Sequence, residues 1–180
     1  MKYLVILFAF FSFNAFGQHD HEKPTVQADT LKKSVQKEVH VQMGETHMMI
    51  HYHAPAVRGR IIWGGLIPYD EVWVTGAHSA TNWEFDNDII IDGQTITAGK
   101  YAVFTIPGRD NWIVILNQNW NQHLADDYDA KEDVLRLNVK PEFQNHQERL
   151  SYAVITTDTQ NGQLIISWEK VSIKVPFQIK

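Results

Sequence analysis

The chain has no cysteine among its 180 residues. That excludes a disulfide framework, a thiolate metal site and a lipid anchor on an N-terminal cysteine. Long apolar runs are missing too. The longest, Tyr3 to Phe13, falls well short of the roughly 20 residues a membrane-spanning helix needs. Basic residues are in the minority, 16 Lys and Arg against 21 Asp and Glu, and they form no cluster. A formal net charge of −5 repels phosphate backbones and anionic leaflets, which argues against a nucleic-acid partner. No G-x-S-x-G elbow, phosphate loop or dinucleotide fingerprint is present, and no internal repeat.

What is present begins with a leader pattern. Lys2 precedes the apolar run, and Ala15-Phe16-Gly17 supplies small residues at −3 and −1 of a cut after Gly17. This predicts a signal peptide over residues 1–17, export to the periplasm or the extracellular space, and no membrane span in the mature chain. Residues 18–37 are polar, charge-mixed and poor in aromatics. Such a composition buries too little apolar surface to offset ordering entropy, so a flexible tether is expected. Residues 38–180 then alternate short runs rich in Val, Ile, Thr, Tyr, Phe and Trp with turn residues. The expected strands are Glu38–Met43, Thr46–Tyr52, Val72–Thr75, Ala80–Asp86, Ile89–Ile91, Tyr101–Ile106, Trp112–Asn117, Val134–Lys140, Arg149–Thr157, Leu164–Glu169 and Ser172–Phe177. Asp92-Gly93, Pro107-Gly108 and Asn161-Gly162 read as hairpin turns between them. The fold class is therefore all-β: a single antiparallel β-sandwich or jelly-roll-like domain of about ten short strands. Gln118–Glu132 is the longest polar interruption and is expected to be a loop with a helical turn.

Several ordered blocks carry a family resemblance. They are Tyr52-x-x-Pro55, then Arg58-Gly59-Arg60-x-x-Trp63-Gly64-Gly65-Leu66-x-Pro68-Tyr69, then Val72-Trp73-x-Thr75-Gly76-Ala77. Ala98-Gly99-Lys100-Tyr101, Phe104-Thr105-Ile106-Pro107-Gly108, Asp133-Val134-Leu135-Arg136 and Ser167-Trp168-Glu169-Lys170 follow. From about Ser34 to the C-terminus the chain resembles the bacterial secreted family catalogued as domain of unknown function 2911. The resemblance implies one sandwich-like domain in an exported protein, and no particular activity. The chain also departs from the family pattern. Where the family commonly reads Y-S-R-P, this chain has Tyr52-His53-Ala54-Pro55; where it commonly reads W-R-T-G-A-N, this chain has Trp73-Val74-Thr75-Gly76-Ala77-His78. Two arginines are lost and two histidines gained. Arginine suits planar anions and neutral imidazole suits a transition metal, so the exchange points to a metal-type site if the two blocks face each other.

The histidines supply the chemistry to test. On a strand over Thr46–His53, a period of two places His47, Met49, His51 and His53 on one face, opposite Met48, Ile50 and Tyr52. Imidazoles two residues apart on one strand face can reach one ion, and zinc or copper accepts such ligands. The candidate metal set is His53, His78 and His123, with His51 and His146 behind them, at one rim of the sandwich where loops gather. His19 and His21 form a separate pair beside the expected new N-terminus. The leading expectation is an exported binding protein holding divalent zinc or copper. The second is a metal-dependent hydrolase on the same histidines, with Glu148 or Asp126 as base. The third is a metal-free module for a small molecule, a glycan or an envelope protein, for which the loop tryptophans Trp63 and Trp120 are candidate contacts. Arg58 and Arg60 read as clamps on nearby carbonyls or carboxylates. The sequence leaves the oligomeric state open.

Overall fold

The computed structural model describes residues 34–180; the expected signal peptide, most of the tether, His19 and His21 lie outside the described residues. The strands in chain order are β1 (Val35–Met43), β2 (Thr46–Ala54), β3 (Asn82–Phe85), β4 (Ile89–Ile91) and β5 (Gln94–Ile96), followed by β6 (Gly99–Ile106), β7 (Trp112–Asn117), β8 (Asp133–Val139), β9 (Glu142–Thr156) and β10 (Asn161–Ile179). They form two antiparallel sheets, ordered β1-β2-β3-β6-β7-β8 and β5-β4-β10-β9. The architecture is the expected β-sandwich. Among the described residues the only helical element is a short 3-10 turn, Ala130–Glu132, inside the polar loop. No helix among them is long and apolar enough to cross a membrane.

Alternation drives the sheets together. In β2, Thr46, Met48, Ile50, Tyr52 and Ala54 are buried while the residues between them face outward. Burying such a side chain is worth about 1.5–3 kcal/mol, and one face of each sheet repeats the pattern. The two inner faces meet through rings: Trp83 of β3 packs edge-on against Phe177 of β10, with centroids 5.3 Å apart, and Tyr52 of β2 lies 4.7 Å from Tyr152 of β9. At the β4–β5 hairpin Asp92 and Gly93 both take positive φ, 50° and 77°, the backbone of a tight primed turn.

Several elements differ from expectation. β1 begins at Val35, three residues before the expected domain start. β5 is an additional strand; only Ile96 of its three residues is apolar and buried, which leaves no alternation to read. Val72–Thr75 is no strand, since only Trp73 makes a bridge, to Thr105 of β6. The two expected C-terminal strands are one, β10, interrupted by register shifts around Glu169, whose φ is 55°. β9 likewise starts at Glu142 rather than Arg149, so it includes a polar stretch. Asn161-Gly162 opens β10 instead of forming its turn, because the Asp158 carboxylate accepts the Gln160 and Asn161 N–H groups and makes the turn one step earlier.

One segment decides where a site can form. Residues 55–81 leave β2 and return to its neighbour β3 without forming a strand. On the way Ala56 bridges Arg149 of β9, in the four-stranded sheet, and Trp73 bridges Thr105 of β6, in the six-stranded sheet. This excursion ties the two sheets together and carries most of the residues discussed below.

Candidate functional site

The excursion folds on itself before it meets the sandwich. Leu66 and Ile67 donate to the carbonyls of Ile61 and Ile62, and Gly64 donates to Ile67. Gly64 has φ 75°, and a Cβ there would stand 2.7 Å from the Tyr69 ring, so only glycine lets that ring close on the loop. The result pins Trp63 against three other indoles: Trp112 at 4.7 Å, Trp73 at 5.8 Å and Trp168 at 5.8 Å between centroids. Trp73 and Trp168 stack on each other at 5.6 Å. Two of these indoles, Trp63 and Trp168, bury their N–H groups without a partner among the described residues.

This tryptophan cluster is a wall between two clefts. On one side Trp63, Tyr69, Trp112 and Phe143 line a cleft of about 310 Å³. Phe143 stands 93% exposed, opposite Val171 in the β9–β10 register, where an apolar ring has no folding reason to be. Charges of both signs share the rim: Arg109, Asp110, Glu169 and Lys170. The Arg109 guanidinium lies over the Tyr69 ring at 4.8 Å. Glu169 holds its left-handed backbone at the register shift, and its carboxylate accepts from the Lys170 N–H at 2.6 Å. Strained residues and bulges of this kind re-aim side chains beside functional sites.

On the other side of the wall a cleft of about 400 Å³ is floored by Trp73, Val74, Ile67 and Trp168, with Arg58 and Arg60 at its mouth. Arg60 donates to the carbonyls of Ala56 at 2.6 Å and Val57 at 3.1 Å, the clamp expected from its sequence. The Arg58 N–H donates to Glu148 at 2.9 Å, but its guanidinium makes no hydrogen bond or ion pair among the described residues.

The expected five-histidine set does not assemble. His51 pairs with Glu38 at 3.2 Å, the residue opposite it in the β1–β2 register. His146 pairs with Glu148 at 3.1 Å and His123 with Asp126 at 3.0 Å. Among the described residues no group of three or more His, Asp and Glu side chains is placed to hold a metal ion. Each of those three imidazoles has found a carboxylate nearby instead. His53 and His78 are the exception: their rings meet edge-on with centroids 5.2 Å apart. The reason is local. A Cβ on Gly76 would lie 3.3 Å from the His53 carbonyl and 2.7 Å from the Thr81 hydroxyl, so glycine lets the 75–78 loop press onto the end of β2. Thr75, fully buried, fixes that loop by bonding Thr105 at 3.0 Å and by accepting from the Tyr152 hydroxyl at 2.7 Å. His78 then sits at φ 62°, a conformation His tolerates better than most residues. Burial, with a smaller contribution from the His78 charge, pushes the His53 pKa down. His53 and His51 also border a hollow of about 200 Å³.

The carboxylates named as catalytic bases are the ones that pair with His123 and His146. Ser79 lies opposite His123 in an antiparallel bridge, and His123 holds Asp126, an order that superficially suits nucleophilic catalysis. The side chains of His123 and Asp126 are about two-thirds exposed, 66% and 64%, and no hydrogen bond joins Ser79 to the imidazole, so the protected geometry such a triad needs is absent. Of the two watched tryptophans, Trp63 lines the first cleft. Trp120 is 39% exposed and takes the Lys100 ammonium over its ring at 4.2 Å. Phe143 was missed in the sequence because it lies in a polar run that gave no strand signal.

Comparison with known proteins agrees with the blocks read from the sequence. The family described as protein of unknown function (DUF2911) matches residues 34–177, and the chain belongs to it. No curated protein and no solved structure matches the chain.

Proposed function

Starting from a family without an assigned activity, we propose that this protein is an exported binding module that takes a carbohydrate in the Trp63–Phe143 cleft. The observation that carries the reading is Phe143, a ring held almost wholly in solvent at the lip of a cleft already walled by Trp63, Tyr69 and Trp112. Aromatic faces match the C–H faces of a sugar ring, and the Arg109, Lys170, Asp110 and Glu169 rim offers both donors and acceptors to its hydroxyls. The cleft volume is within the range of small-ligand sites. Titration calorimetry with maltohexaose, cellohexaose, chitohexaose and xylohexaose tests this. At least one should bind, and Phe143→Ala should weaken it by about fivefold to tenfold with the melting temperature unchanged. No binding by any of them, or equal affinity in the variant, rejects the reading.

The His53–His78 pair supports a second reading, a weak zinc or copper site completed by water. Two imidazoles in ring contact, one of them biased to the neutral form, are the start of such a site. The His53→Ala/His78→Ala double variant should then lose a stoichiometric Cu(II) or Zn(II) titration endpoint seen in the parent. An endpoint kept in the double variant places any metal elsewhere.

A further inference from the structure

We propose that the cleft on the other side of the tryptophan wall is a second binding site, for an amphiphile with an oxyanion head, carboxylate or phosphate, on an apolar body. Three features of the cleft lead there. Its floor is apolar and firm: Trp73, Val74 and Trp168 are at most 8% exposed, and the stacked pair of indoles leaves little room to collapse. Among the described residues its lining carries two arginines and no carboxylate, on a protein whose formal net charge is −5. The arginines are presented by a built turn. Arg60 donates its backbone N–H to Val57 at 3.0 Å, and both central residues, Arg58 and Gly59, have positive φ, 52° and 68°, which is the primed turn geometry.

The two arginines have different standing. Arg60 spends two donors on the carbonyls of Ala56 and Val57, which holds its fork in place and leaves its remaining N–H groups directed by a fixed frame. The Arg58 guanidinium bonds to none of the described residues. The Glu148 carboxylate accepts from the Arg58 backbone N–H and lies against the His146 ring, it makes no ion pair with the Arg58 guanidinium, and it does not line the cleft. One guanidinium fork held by the backbone beside a second that bonds no described residue suits bidentate capture of a carboxylate or phosphate. The half-exposed Leu66 and the apolar floor receive the tail. About 400 Å³ suits a head with a short aliphatic chain or one aromatic ring.

The test uses the protein carrying residues 34–180 intact and four probes below their micelle-forming concentrations: decanoate, decyl phosphate, decanol and inorganic phosphate. Decanoate or decyl phosphate should bind at least about tenfold more tightly than decanol, and the tighter of the two identifies the head. Arg58→Gln should remove about tenfold of that affinity and Arg58→Lys an intermediate amount, since a point charge keeps attraction but loses the fork. Arg58 is exposed and its side chain bonds to none of the described residues, so matched melting curves separate this loss from unfolding. Decanol binding as tightly as either anion overturns the oxyanion part. Inorganic phosphate binding as tightly as decyl phosphate overturns the apolar part. No binding by either anionic amphiphile, or an unchanged affinity in Arg58→Gln, overturns the site.

Discussion

The tryptophans and the histidines of this chain are both scattered in sequence, yet four of the six tryptophans form one cluster, while among the described histidines only His53 and His78 meet. Trp63, Trp73, Trp112 and Trp168 come from the excursion, β7 and β10 and form one cluster. His51 settles on a carboxylate across one strand pair, His123 on one within a turn, and His146 on one two residues along its own strand. The difference follows from the forces involved. Apolar burial has no preferred partner, so indoles from distant segments gain by joining the same core. An imidazole is satisfied by one good hydrogen bond, and an acidic chain offers that bond locally before any long-range meeting is needed. His53 and His78 meet because Gly76 lets two backbones approach, not because the rings attract.

The largest expected effect breaks the tryptophan side. Trp168 is 1% exposed and touches Trp63 and Trp73, so Trp168→Ala opens a cavity that the stacked neighbours cannot fill. The loss should be about 3–5 kcal/mol, a fall in melting temperature on the order of 10 °C. His146→Ala, on the other side of the comparison, should change stability by less than about 0.5 kcal/mol, because its ion pair is exposed. Denaturant unfolding of the two variants side by side checks both. Equal losses would mean that the histidine–carboxylate pairs hold the fold as firmly as the indole cluster, and the contrast drawn here would be wrong.

The same forces explain what could be read in the sequence. The outward face of β2, with His47, Met49, His51 and His53, followed from a period of two because one face of the strand had to be buried. The Asp92-Gly93 turn was legible because few other dipeptides tolerate two positive φ values in succession. The polar pair Glu169-Lys170 interrupts the apolar alternation and reads as a break, but the chain carries it as one strand through register shifts on either side of Glu169. Trp63 could be singled out as an aromatic in a glycine-rich loop. Its partners in the cleft, Tyr69, Arg109 and Phe143, come together through the pairing of β9 with β10 and the closure of the excursion, and no local pattern encodes that meeting. The five-histidine set is incomplete for the complementary reason: residue type indicates the chemistry, but His51, His123 and His146 lie against nearby carboxylates, and only His53 and His78 meet.

The smallest effect sharpens the electrostatic side. The Glu148 carboxyl is held below its ordinary pKa first by the Arg58 backbone N–H, then by the His146 hydrogen bond and the nearby charges of His146 and Arg149; partial burial opposes them. A carboxylate with a depressed folded pKa contributes stability above its unfolded value, 4.5, and loses it as pH falls through the folded value. Glu148→Gln keeps an oxygen for the Arg58 N–H but not the charge. Its melting temperature should therefore lie slightly below that of the parent at pH 7, and the gap should close as the pH drops below 4.5. The deficit of Trp168→Ala, which has no titrating partner, should stay open over the same range. A Glu148→Gln gap that is constant with pH would show that the carboxylate anchors the Arg58 turn by hydrogen-bond geometry alone, and that charge plays no part in holding that end of the excursion.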